Sequence, residues 1–160
     1  GAGNDVFNRA TDSRDGVDTM HGGTGNDTYV LSSASDIVVE LAGEGADTVY
    51  TPTSYSAPSN VENVFGFGNR GSLTIKGNNL DNVLRGSELN DIIEGGGGAD
   101  DFLLYVGMGN DKVTDFNSDE GDEVLLAYGL SGYQFANTST GAMYSLEDGS
   151  SLELVYEFIA

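Results

Sequence analysis

The chain has no cysteine, one histidine, six lysines and arginines, two prolines, and no apolar stretch long enough to span a bilayer. Each shortage excludes something. Without cysteine no disulfide framework can staple the fold. A single histidine, His21, cannot by itself build a zinc centre or a catalytic triad, both of which need several partners. The six cations face 26 acidic residues, for a formal charge of −20, so the basic footprint that nucleic acid requires is missing. Such a chain repels itself, and its natural counter-charge is a divalent cation. Nothing near Gly1 resembles a secretory leader, and no membrane-spanning segment is expected. Both prolines, Pro52 and Pro58, fall in the single stretch 51–71.

Glycine, by contrast, is abundant at 24 residues and recurs with aspartate at fixed spacing. Asp18, Asp27 and Asp36 lie nine residues apart, as do Asn82, Asp91 and Asp100. Two positions after each comes an apolar residue: Met20, Tyr29, Val38, Leu84, Ile93 and Phe102. Phe7 follows Asp5, Val49 follows Asp47 and Val113 follows Asp111 in the same way. The fullest unit is Gly22-Gly23-Thr24-Gly25-Asn26-Asp27-Thr28-Tyr29-Val30. Its glycines let the backbone curl and bring carbonyls close to a ligand, and Asp27 adds a hard oxygen. Thr28-Tyr29-Val30 then reads as a short strand, with Tyr29 pointing opposite to its neighbours. A fixed period with one inward apolar residue per unit predicts an all-β solenoid, because no repeat can bury that residue without a stacked neighbour. Two units make one coil, so partners in space are about two units apart in sequence.

These residues resemble the RTX repeat, written GGxGxDxUx with U a large apolar residue, a family that folds as a calcium-loaded parallel β-roll. Gly22 to Val30 matches in full. Gly95-Gly96-Gly97-Gly98-Ala99-Asp100-Asp101-Phe102-Leu103 is a close match, and Gly107-Met108-Gly109-Asn110-Asp111-Lys112-Val113-Thr114 lacks only the first glycine. Gly1-Ala2-Gly3-Asn4-Asp5-Val6-Phe7-Asn8 is the same unit without its first residue. Gly16 to Met20 and Gly45 to Val49 are partial matches. The resemblance implies several Ca²⁺ ions, each held between two turns on one side of the roll by backbone carbonyls and an aspartate from each turn. The implied pairs are Asp5 with Asp27, Asp18 with Asp36, Asp27 with Asp47, Asn82 with Asp100, and Asp91 with Asp111. Around them stand the implied turn residues Gly1, Gly3, Gly16, Gly22, Gly23, Thr24, Gly25, Gly45, Gly95, Gly96, Gly97, Gly98, Gly107 and Gly109.

In chain order the reading gives a first repeat block over 1–50, opening inside a repeat, so the parent protein is expected to extend upstream. An insertion, Arg9 to Arg14, interrupts this block. At Leu31 to Asp36 the register holds but the glycines are gone, which predicts a weaker ion site. Residues 51–76 lack the repeat, yet Asn60-Val61-Glu62-Asn63-Val64 and Leu73-Thr74-Ile75 predict that the solenoid continues through them. The second block, 77–114, has Asn82 for the ligand aspartate and Leu80 for a glycine, and Gly86-Ser87-Glu88-Leu89-Asn90-Asp91 departs at its later glycine. Both turns are therefore poorer expected ion sites. Over 115–160, Asp115-Phe116-Asn117 and Gly121 to Leu126 resemble the closing element of serralysin-like secreted proteins. Tyr133 to Phe135 and Leu152 to Tyr156, with a turn at Asp148-Gly149, predict antiparallel strands that cap the roll's open end. Asp115-x-Asn117-x-Asp119 is not an EF-hand, because Glu120 and Leu126 stand where that loop needs glycine and glutamate.

The terminus Glu157-Phe158-Ile159-Ala160 resembles the end of a type I secretion substrate. Together these readings imply a non-catalytic calcium-dependent folding and secretion module of a larger exported protein from a Gram-negative bacterium. Its expected partners are calcium, the upstream domain and the secretion machinery. Two alternatives are a calcium-stiffened segment of an adhesin or surface layer and a catalytic domain acting on a polysaccharide. For the last, no nucleophile, base and orienting group recur together.

Overall fold

The computed structural model describes residues 1–8, 16–68, 70–127 and 130–156. The insertion Arg9 to Arg14 and the terminal Glu157 to Ala160 lie outside them. Among the described residues there are sixteen strands and no helix, so no helix is long and apolar enough to cross a membrane. In chain order they are β1 (Val6–Asn8), β2 (Thr19–His21), β3 (Thr28–Val30), β4 (Ile37–Val39), β5 (Thr48–Thr51), β6 (Tyr55–Ser56), β7 (Asn63–Gly66) and β8 (Thr74–Lys76). There follow β9 (Val83–Arg85), β10 (Ile92–Glu94), β11 (Asp101–Leu104), β12 (Asn110–Phe116), β13 (Glu123–Leu126), β14 (Gln134–Asn137), β15 (Gly141–Ser145) and β16 (Ser151–Tyr156).

Most strands of the roll are three or four residues long because each unit has a single inward side chain between two turns. The odd-numbered strands form one wall, β1-β3-β5-β7-β9-β11-β13, parallel throughout. Register places Phe7, Tyr29, Val49, Val64, Leu84, Phe102 and Val124 in one inward column. The opposite wall runs β6-β8-β10-β12, also parallel, with Tyr55, Ile75, Ile93 and Val113 in register. The two columns meet in the core: Tyr29, Val49, Leu84, Ile93, Phe102 and Val113 are essentially inaccessible to solvent, Met20 and Val38 are buried, and Phe7 is half-buried. Full burial of such a side chain stabilises by roughly 1.5–3 kcal/mol, and none of these could be buried within its own unit. Phe7 stacks on Tyr29 with ring centroids 5.1 Å apart.

One wall passes without interruption through the proline-containing middle, where β5, β7 and β9 pair in sequence, and on the other β6 pairs with β8. That opposite wall is interrupted where it enters the middle. Strands β2 and β4 pair only with each other, and β4 is not hydrogen-bonded to β6. A cleft of about 570 Å³ lies between them, lined by Ile37, Val38, Tyr55 and Pro58 among others.

The closing element combines both strand senses. Strand β16 joins β12 in parallel and so continues the wall, while β15 and β14 are added in antiparallel order. The β15–β16 connection turns at Gly149, whose φ of +90° suits glycine. Strand β14 is exposed at the sheet edge; its Phe135, with Tyr133 just before it, packs on Tyr144 at centroid distances of 5.0 and 6.0 Å.

Candidate metal sites

Because each aspartate stands two residues before an inward side chain, stacking the strands also stacks the aspartates. One row of turns brings together Asp5, Asp27, Asp47, Glu62, Asn82, Asp100 and Asp122. Along it, the backbone N–H of one coil donates to the carboxylate of the next. Asp5 N–H donates to Asp27 Oδ1 (2.7 Å), Asp27 N–H to Asp47 Oδ1 (2.8 Å), and Asp47 N–H to Glu62 Oε2 (2.7 Å). Further on, Asn82 N–H donates to Asp100 Oδ1 (2.9 Å) and Asp100 N–H to Asp122 Oδ1 (2.9 Å). The facing row repeats the device: Asp18 N–H to Asp36 Oδ1 (3.3 Å), Leu73 N–H to Asp91 Oδ1 (2.6 Å), and Asp91 N–H to Asp111 Oδ1 (2.9 Å). All five pairs read from the sequence are neighbours on this ladder.

The glycines cradle the second carboxylate oxygen. A Cβ at Gly22 would collide with Asp27 Oδ2 and the Tyr29 hydroxyl, and one at Gly86 would lie 2.6 Å from Asp91 Oδ2 and 2.7 Å from Asp111 Oδ2. Gly25, at φ +127°, passes so close to the coil below that a Cβ would sit 2.6 Å from the Gly3 carbonyl oxygen. Gly1, Gly3, Gly23, Thr24, Gly45, Gly95, Gly96, Gly97 and Gly98 lie in the turns of this same row, and Gly16, Gly107 and Gly109 in those of the facing row.

Within both rows, the turns differ in what meets that second oxygen. Asp36 Oδ2 accepts from the Ser32 and Ser33 N–H groups, Asp91 Oδ2 from the Ser87 N–H and hydroxyl, and Asp122 Oδ2 from Asn117 N–H. Asn82 Oδ1 accepts from Asn78 N–H while its amide donates to the Val61 and Glu62 carbonyls. These turns are closed by the chain's own donors. In contrast, Asp27 Oδ2, Asp47 Oδ2 and Asp111 Oδ2 are buried without any hydrogen-bond partner. A buried, unpaired carboxylate oxygen is costly unless a cation or a proton meets it. In the metal-free chain, burial accordingly pushes Asp111 up to about 8, and Asp47 and Asp100 up to about 6. An oxygen-only donor set of carboxylates beside turn carbonyls suits calcium, which accepts irregular oxygen coordination.

Sequence reasoning omits Glu62 and Asp122 from the ladder, although both precede an inward residue, Val64 and Val124, at the repeat's own spacing. Asp115 holds the four-glycine turn at 95–98: its two oxygens accept from Gly95 N–H (2.9 Å) and Gly96 N–H (3.0 Å). His21 is exposed on β2, apart from the carboxylate rows.

Four copies of the RTX calcium-binding nonapeptide repeat match the chain, over residues 12–38 and 76–113. Two relatives from Rhizobium meliloti (strain 1021), endo-1,3-1,4-beta-glycanase ExsH and endo-1,3-1,4-beta-glycanase EglC, are 38% and 36% identical over 143 residues. The match covers 85% of this chain but 30% of each relative, so the chain spans less than a third of the curated relatives' length. No solved structure gives a significant match. With its repeats, parallel coils and stacked aspartate turns, the chain carries RTX calcium-binding repeats on a parallel β-roll, and Ca²⁺ is the ion such repeats bind.

Proposed function

We propose that this β-roll is a non-catalytic folding module of a larger exported protein, ordered by calcium once outside the cell. The observation that carries this reading is the set of buried, partnerless carboxylate oxygens on Asp27, Asp47 and Asp111. Without a cation those oxygens oppose folding; with one they join coil to coil. Asp27, Asp47 and Asp111 would hold the ions together with turn carbonyls, with their ladder companions Asp5, Asp18 and Asp100 as further ligands, whereas the turns at Asp36, Asn82 and Asp91 are closed by the chain's own donors. Calcium supplies positive charge between turns, and the residues supply the spacing. Each site filled to about a hundred times its dissociation constant adds roughly 2.7 kcal/mol, so a few sites reverse a marginal balance. Extracellular calcium modules bind at roughly 0.1 to 1 mM, a range met outside cells and not in cytosol. The chain would thus cross a secretion channel unfolded and fold on exit, with 115–160 serving as the cap.

The relatives' names point to glycan cleavage, and the chain matches only a minor part of them. We assign such an activity to a part of the parent protein outside this roll, whose ladder carboxylates are committed to turns. The test follows far-UV circular dichroism and hydrodynamic radius of the chain from chelator into millimolar calcium, with magnesium as control. Cooperative compaction specific to calcium is the expected result. A chain equally compact and β-rich in chelator would overturn the reading, and calcium-driven self-association would favour the surface-layer alternative.

A further inference from the structure

Strand register carries one step past β2 and β4. His21 pairs with Val39, so the next residues, Gly22 and Glu40, occupy equivalent positions. Where the repeat has its first glycine, this coil has a glutamate. Glu40 is nonetheless buried, at 5% exposure, with Asp27 and Asp47 at 1% each. One carboxylate oxygen from each of the three lies within 4.8 Å of one from each of the others; among the described residues no other three potential ligands come so close.

Each of these carboxylates spends one oxygen on a donor. Asp27 Oδ1 and Asp47 Oδ1 take the ladder N–H groups, and Glu40 Oε1 takes the Tyr29 hydroxyl. The other oxygen of each, Asp27 Oδ2, Asp47 Oδ2 and Glu40 Oε2, is buried without a partner. Asn60 Nδ2 donates to the Glu40 carbonyl at 3.0 Å, which fixes the backbone from which the side chain turns inward. The ion pairs among the described residues, at Asp5, Glu94 and Glu153, do not involve these three carboxylates. Three buried carboxylates facing one another repel unless a cation lies between them.

We propose that Asp27, Glu40 and Asp47 form a three-carboxylate divalent-cation site, in which Glu40 adds a side-chain ligand the nonapeptide repeat does not contain. The proposal rests on the calcium-folding reading above and deepens it. Charge count sets affinity among otherwise similar oxygen sites, so this is the tightest calcium site in the roll and fills first. It also links the first block to the middle, since the Asp47 N–H is held by Glu62 and the Glu40 carbonyl by Asn60.

The test is calorimetric titration of the metal-free chain with calcium, for wild type, Glu40→Gln and Glu40→Gly, the last restoring the glycine of the other units. Wild type should show a tight class of one ion ahead of the weaker sites, and both variants should weaken that class by about tenfold or more while keeping the rest. Terbium luminescence, sensitised by tyrosine, gives a second readout that leaves Glu40 in place. At substoichiometric terbium, Tyr29→Phe should remove most of the emission. Superimposable isotherms for wild type and both Glu40 variants, or full emission in Tyr29→Phe, would overturn the proposal. Wild type that neither binds nor folds with calcium would sink the folding reading itself, whereas calcium-driven folding with an unchanged Glu40→Gln isotherm sinks this inference alone.

Discussion

The turns ending at Asp27 and at Asn82 stand in the same column of the roll and are closed in opposite ways. At Asp27 the second carboxylate oxygen is buried without a partner, and the neighbouring Asp47 repeats the arrangement. At Asn82 the side-chain amide donates to two carbonyls of the preceding coil, Val61 at 3.0 Å and Glu62 at 3.1 Å. One atom changes, oxygen to nitrogen, and a position that needs an external cation becomes one that carries its own donor. The roll is therefore a mixture: some coil junctions depend on metal, and others are held by the chain in any medium. A calcium-dependent fold does not require every turn to bind.

The contrast can be broken from its metal-dependent side first. Asp47→Asn should lower stability in saturating calcium by about 2.7 kcal/mol, the contribution of one well-filled site. In chelator the same change should raise stability, because a buried charge disappears; denaturant midpoints in the two media check both signs. Asn82→Asp works in the other direction. It removes the amide donors and buries a charge, so it should cost about 1–3 kcal/mol in chelator, recover in calcium, and add an ion to the calorimetric stoichiometry. A variant that stays destabilised at high calcium would show that this turn cannot accept metal. Ser87→Ala removes the hydroxyl that donates to Asp91 Oδ2 at 2.8 Å. Its cost should be about 1 kcal/mol, with or without calcium.

Acidity gives the most gradual probe. In the metal-free chain, desolvation lifts Asp47 and Asp100 from 3.8 to about 6 and Asp111 from 3.8 to about 8. The folded chain then holds protons more tightly than the unfolded one. Their contribution to stability in chelator is fully present below 3.8 and is lost as pH rises through about 6 and then about 8. With calcium the trend reverses, since the ion must displace those protons. Chelator and calcium melting curves that move in parallel with pH would contradict the orphaned-oxygen account.

Much of this was legible in the residues themselves. The spacing from each turn aspartate to its inward side chain places Tyr29, Leu84 and Phe102 in the core and pairs Asp27 with Asp47 across a gap that is not a multiple of nine. Glu62 and Asp122 carry that same spacing and are passed over because no glycines precede them in the repeat's pattern. Glu40 opens the unit 40–47 and follows Asp36 by four residues as Gly22 follows Asp18, so the period places it at a glycine position. A glutamate after Ile37-Val38-Val39 nonetheless reads as a solvated strand end, and only the structure shows it turned inward beneath Tyr29. Nor does the sequence reveal that β16 joins the roll in parallel, because the alternation of a strand is the same whichever way its neighbour runs.

The unequal walls have a mechanical meaning. On one side hydrogen bonds run unbroken from β1 to β13; on the other they lapse between β4 and β6. At that level the stack is a beam with a notch in one flange. Bending that opens the notch is resisted by side-chain packing around Val38 and Tyr55 and by the Asn60 bond to the Glu40 carbonyl rather than by a strand ladder, whereas bending the other way must compress a continuous ladder. The first coils should therefore swing toward one side far more readily than the other. A passenger attached ahead of them would be carried on a directional hinge rather than a rigid rod.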